Sequence, residues 1–391
     1  MKQNERETHS HGDIAAFSRV RTFVTLLVVV YHAASNYVAF GNGDRQRWIG
    51  FDLVVLFTDS FFMPLMFFIS GLFVFSSLSH KGALFYMHDR LWRLGVPFLV
   101  SIFVLMPIAY YPSFLRYHLP GTTDFNFLHF WERTLTVGPW PSGPAWFLWV
   151  LIAFDALAVA LWIIARAPLE ILGQKIAKIR VHPVLIFLVV LVVTLLAYAP
   201  FALIFGRDRW FAAGPISVQA SRVVLYATYF LLGVMTGIAS LTRGILTERS
   251  PIAEGGPAWP AIAGLAFIAL AILDYGKPGG AALHLDMSEQ AVLRAITFSI
   301  FCSAMGLATL AVALRFAQRP WAAWRLLDAM TPVAYGIFLT HFAFIIWLQY
   351  AVYSAQIPAI VKFVIVFSGA LSGGWIATRL LRSIPVVARM I

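Results

Sequence analysis

Charge is scarce in this chain. Of its 391 residues only 12% are Asp, Glu, Lys or Arg, about half the share of an ordinary soluble domain, while 60% are hydrophobic. That balance, with a mean hydropathy of +0.79, excludes a water-soluble globule and points to a polytopic membrane protein. Cysteine is almost missing. Cys302 stands alone, which excludes an internal disulfide and a cysteine-based zinc site, and its apolar surroundings predict a buried, inert thiol. No P-loop, dinucleotide-binding glycine fingerprint, HExxH or GxSxG elbow occurs, so neither a metal nor a resident cofactor of those classes is expected. Acids are outnumbered by bases, 18 against 29, for a net charge of +11. In a soluble chain this excess would suggest nucleic acid. Here the bases gather between apolar runs, where membrane topology explains them and no nucleic acid is needed.

What the chain does have is hydrophobic length. Ten stretches are long enough to cross about 30 Å of hydrocarbon. They lie near 20–40, 51–76, 92–111, 144–166, 183–205, 220–241, 258–275, 291–315, 333–350 and 357–379. The seventh is a short apolar run, with Pro257 and Pro260 crowding its start. The expected fold is therefore all-α: one transmembrane domain over 19–382, a disordered tail over 1–18 and a short tail over 383–391. With the N-terminus inside, the inner connections and tails hold about twice as many Lys and Arg as the outer ones, which places both termini in the cytoplasm.

Polar groups inside such runs are costly and draw attention to themselves. Arg21 and His32 lie on the first apolar helix, eleven residues and roughly 16 Å apart, with the histidine near the membrane centre. Ser35 and Asn36 extend a polar face beside it. Asp59, descending on the second helix, reaches a similar height. A carboxylate there can orient the imidazole and raise its basicity, or can pair with another polar group for its own sake. His341 on the ninth helix and Asp155 on the fourth are further intramembrane groups, the latter with no partner evident from sequence. Lys362 lies near an edge, from which it can snorkel to water. Arg90 and Arg93, three apart on one helical face, can join Arg21 in an inner cationic pocket. Such a pocket suits phosphates as well as it suits anionic headgroups. The longest outer connection, 110–143, is aromatic and leads into Trp146. Within it Asp124 is placed to cap an amphipathic helix whose Phe125, Leu128, Phe130 and Trp131 face lipid.

Six stretches are familiar when taken in order. They are Arg21 and His32 with ten residues between them, the run ending FFISG at Gly71, RLWRLGVP (90–97), PAWFLWVL (144–151), YFLLGVMTG (229–237) and TPVAYGIFLTH (331–341). Together they resemble the acyltransferase 3 family of integral membrane acyltransferases, and within it most the glucan-succinylating branch. The resemblance implies ten helices and a plasma (inner) membrane location. It implies acyl-CoA as a cytoplasmic co-substrate, with an acetyl or succinyl group passing to a hydroxyl of a carbohydrate or other envelope acceptor reached from the far side. Arg21, Arg90 and Arg93 then become contacts for the donor's phosphates, and Trp146 and Asn36 contacts for the acceptor. His32 becomes the base or acyl carrier, aided by Asp59 and His341. The family usually has an acid three residues before the first-helix arginine. This chain has Ser18, which can cap a helix but cannot pair with Arg21. A proton-coupled transporter or flippase would use the same mid-membrane His and Asp groups, although no inverted repeat supports it. A non-catalytic sensor built on the enzyme fold is a third reading.

Overall fold

In hydrocarbon every backbone N–H and C=O must find a partner within the protein, so apolar runs of this length fold as helices. The computed structural model describes residues 2–116, 126–138, 140, 142–178, 182–239, 246, 250–276, 286–317, 319 and 321–391, with side chains from residue 15 on except 177 and 178. Asp124 and Phe125 of the expected outer helix lie outside them, as do Arg180, Arg243, Arg249 and Lys277 of the connections between spans.

The main helices are α1 (Lys2–Ala34), α2 (Ile49–Asp59), α3 (Phe62–Leu72), α4 (Ala83–Arg90), α5 (Met106–Arg116), α6 (Phe127–Thr136), α7 (Trp146–Lys178) and α8 (Pro183–Phe205). A hairpin of β1 (Trp210–Ala213) and β2 (Ile216–Gln219) follows. Then come α9 (Val223–Ile238), α10 (Ala258–Tyr275), α11 (Met287–Arg315), α12 (Ala334–Ala351) and α13 (Ala359–Leu381), with short helical segments as links. The protein is thus an all-α multi-pass membrane protein. Among the described residues nine helical stretches are long and apolar enough to span a bilayer. The expected sixth span is α9, whose 16 residues reach only about 24 Å. The hairpin occupies the chain just before it.

Two expectations about the N-terminal region change. Helix α1 starts at Lys2, within the segment expected as a disordered tail, and Ala16 and Phe17 are fully buried, Phe17 against Phe73 with ring centroids 6.3 Å apart. The first span runs Ala15–Tyr37 rather than 20–40, and His32 sits in the last turn of α1. Ser18 lies inside that helix and caps nothing; its carbonyl accepts from the Thr22 hydroxyl. The outer amphipathic helix also differs. Asn126 caps α6 by accepting from the Leu128 amide at 2.9 Å. Phe130 turns inward against Phe114, 4.9 Å away, while Leu128 is exposed as expected.

Small residues set the closest helix contact. A Cβ at Gly71 of α3 would strike the carbonyl oxygen of Phe230, and at Gly233 and Gly237 of α9 those of Phe68 and Leu72. With no hydrophobic force between helices in lipid, such backbone-to-backbone approach is what holds α3 on α9. It also gives the glycines of two of the six familiar stretches a shared physical reason.

Prolines shape the third span. Wide π turns cover Leu91–Gly95 and Ser101–Leu105, each ending two residues before a proline, Pro97 or Pro107. Opening the turn relieves the clash of the proline ring with the carbonyl four residues back. Pro97 has no N–H for the carbonyl of Arg93, and the Tyr335 hydroxyl donates to it instead at 2.6 Å. Pro112 likewise has none for Ile108, whose carbonyl accepts from Trp347 Nε1 at 3.0 Å. Both donors belong to α12.

Candidate active site

A cavity of about 570 Å³ is walled by the end of α1, the end of α2, the start of α7, the hairpin, α9 and α12. His32, Asn36, Asp59 and Trp146 all line it, so four of the eight residues singled out from sequence share one space. The His32 ring has no hydrogen-bond partner among the described residues and is half-buried. Its carbonyl accepts from Ser35 Oγ at 3.0 Å and from Gln349 Nε2 at 3.3 Å, which fixes the helix end that presents the ring. Around the ring stand Tyr31, Phe342 and His341, at centroid distances of 5.0, 5.1 and 5.4 Å.

His341 is fully buried behind His32. Its Nδ1 lies 2.7 Å from the Phe338 carbonyl and 3.1 Å from that of Ile337. A ring nitrogen facing two acceptors must carry the hydrogen, which leaves a lone pair on Nε2. That Nε2 is buried and has no partner among the described residues. An unsatisfied acceptor is therefore held beside the free imidazole.

Of the two courses open to Asp59, it takes the second and pairs with another polar group. Arg222, which precedes α9, donates from Nη2 to its carboxylate at 2.5 Å and from Nη1 to its backbone carbonyl at 2.9 Å. The Arg222 side chain is 4% exposed, and a guanidinium so deeply buried requires an anion. No bond joins Asp59 to His32, and the unsatisfied polar atom in the neighbouring ring is His341 Nε2. Trp146 stacks on Tyr226 with centroids 5.5 Å apart and meets Trp210 of the hairpin edge-on at 5.9 Å. Asn36 Nδ2 has no partner among the described residues. Ser217 is tied to Ser142 by a hydroxyl–hydroxyl bond, and its carbonyl accepts from Trp149 Nε1 at 3.0 Å, which fastens the hairpin over α7.

Eleven residues back from His32 along α1, Arg21 has the other two predicted arginines as neighbours, since the charges of Arg93 and Arg90 both bear on it. The Arg21 and Arg93 guanidinium groups have no hydrogen bond or ion pair among the described residues. Arg90 is committed to Asp155, with Nε 3.3 Å from Oδ2, and to Tyr86, whose hydroxyl lies 2.5 Å from Asp155 Oδ1.

A family model described as an acyltransferase domain matches residues 14–379, nearly the whole chain. The protein belongs to the acyltransferase 3 family. No curated protein and no solved structure matches it.

In this acyltransferase several contacts were not legible beforehand. The partners of Asp155 are Arg90 and Tyr86, on a helix far away in sequence. Lys362 does not snorkel: it is fully buried with Asp44, Nζ lying 2.9 Å from Oδ1. Arg19 rather than Arg21 takes an acid, pairing bidentately with Asp328 at 2.8 and 2.9 Å. The π turn over Leu91–Gly95 interrupts the regular helix on which Arg90 and Arg93 were expected to share a face. The place of Arg222 at the head of an apolar run is the one signal of it in the sequence.

Proposed function

We propose that this acyltransferase moves an acyl group from acyl-CoA, bound at the arginine end, to a carbohydrate hydroxyl held in the cavity. The observation that carries the reading is the His32 ring, unbonded and facing the cavity, with the lone pair of His341 Nε2 behind it. The ring centroids lie 5.4 Å apart and no bond joins the rings as they stand, so a turn of the His32 ring is needed to bring its N–H onto that lone pair and leave the other His32 nitrogen free to act as base. The acceptor hydroxyl gives its proton to His32 as its oxygen bonds to the thioester carbon. The carbon–sulfur bond breaks, and the proton passes to the departing CoA thiolate. A direct acyl-histidine step would use the same ring as nucleophile.

Arg21 and Arg93, free of carboxylate partners, suit the donor's phosphates, with Arg90 more firmly committed to Asp155. Trp146, Trp210 and Tyr226 offer ring faces on which a sugar can rest, and Asn36 an unused donor. Apolar walls keep water from the thioester. The excess of Lys and Arg on one side supports a plasma-membrane orientation with the arginine end and both termini in the cytoplasm. Labelled acyl-CoA and a glucan offered to purified protein test the reading. His32→Ala is expected to lower transfer by about a hundredfold or more. Unchanged transfer by that variant, or solute movement by the wild type with no acyl transfer, would overturn it.

A further inference from the structure

The cavity has a charge pattern that bears on the acyl group. Its wall presents the Asp59 carboxylate, whose side chain is 31% exposed. The guanidinium that balances it belongs to Arg222, which stands behind the wall and does not line the cavity. No Lys or Arg among the described residues lines it, and the remaining polar lining, Ser142, Ser217, Gln219 and Gln349 among it, is uncharged. The anionic end of a buried ion pair therefore faces the space into which the acyl group must project from a thioester held against His32.

Resting on the acyl-transfer reading, we infer that the cavity selects an uncharged acyl group, acetyl or a short neutral homologue, and rejects a dicarboxylic one such as succinyl. A succinyl chain places a second carboxylate a few bonds beyond the thioester carbon. Inside the cavity that group would lose its hydration, gain no cation and meet Asp59. Desolvation and like-charge repulsion act in the same direction. The site discriminates by what it refuses, and Asp59 is the refusing group. This departs from the glucan-succinylating branch that the sequence most resembles.

The test compares acetyl-CoA and succinyl-CoA at equal concentration with the full-length purified protein and a linear glucan as acceptor. Both acylated glucan and released CoA thiol are read, so that a poor acceptor does not hide donor choice. Acetyl transfer is expected to exceed succinyl transfer by roughly tenfold or more. Succinyl transfer as fast as acetyl overturns the inference and leaves the acyl-transfer reading standing. Turnover of neither donor overturns that reading and the inference with it. Asp59→Asn uncovers the Arg222 charge and should move the acetyl-to-succinyl ratio toward succinyl. The ratio is read rather than the rate, because the variant also loses an ion pair. Should Asp59→Asn not fold, the double variant Asp59→Asn with Arg222→Gln removes both charges and should bring the ratio toward unity. An unchanged ratio in a folded, active variant excludes Asp59 as the selecting group.

Discussion

His32 and His341 show how two identical side chains divide a task according to what surrounds them. One is tied through Nδ1 to its own helix and so fixed in tautomer; the other has no hydrogen bond from its ring and faces the cavity. If His341 supplies the acceptor that orients His32, His341→Phe should keep the packing and remove the lone pair. Transfer is then expected to fall by about tenfold to a hundredfold with little change in the Michaelis constant for acyl-CoA, as steady-state kinetics would show. A rise confined to that constant would place His341 outside the chemistry. Arg21, His32 and His341 were legible in the sequence because ionisable groups are expensive in apolar runs and stand out there. Their partners were not legible. That Asp59 goes to Arg222 and Asp155 to Arg90 depends on which helices adjoin, and periodicity along one segment carries no such information.

Among the elements, α12 is tied most directly to the third span. Tyr335 and Trp347 lie about 18 Å apart on it. They donate to the two carbonyls that Pro97 and Pro112 leave without their usual helical partners. The Arg93 carbonyl belongs to the turn that carries a candidate donor contact, so Tyr335→Phe should raise the Michaelis constant for acyl-CoA several-fold while the turnover number changes less. Pro97→Ala restores an N–H at the position that normally serves that carbonyl, and in that background Tyr335→Phe should cost much less. A double-mutant cycle on the same constant reads the coupling, expected at about 1 kcal/mol. Additive effects would mean that the hydroxyl does not position the turn. At the glycine contact, Gly233→Leu should separate α3 from α9 and lower thermal stability sharply in detergent. The helices themselves were readable from hydrophobic length. The π turns were not, because a proline in sequence announces a lost hydrogen bond without saying whether the helix kinks, widens or ends.

For the whole molecule, termini on one side require an even number of crossings, which the nine candidate spans among the described residues give only if the shorter α9 crosses as well. The native thiol is 1% exposed, so cysteines introduced one at a time report position with little background. Arg382→Cys should react with an impermeant maleimide only after the membrane is opened, and Arg47→Cys in intact cells. The opposite pattern would invert the proposed orientation and with it the side from which acyl-CoA arrives. The broad architecture was open to sequence reasoning because bilayer thickness imposes it. The hairpin that helps close the cavity was not, since Trp210–Gln219 is short, partly apolar and contiguous with a span.

The paired contacts of α12 carry a mechanical consequence. A rod pinned near both ends to the same neighbour can neither slide nor turn against it without giving up both hydrogen bonds. The spacing between the donor arginines and the imidazole pair is therefore built in as a fixed gauge. Substrate entry and product exit must then be accommodated by elements that α12 does not pin.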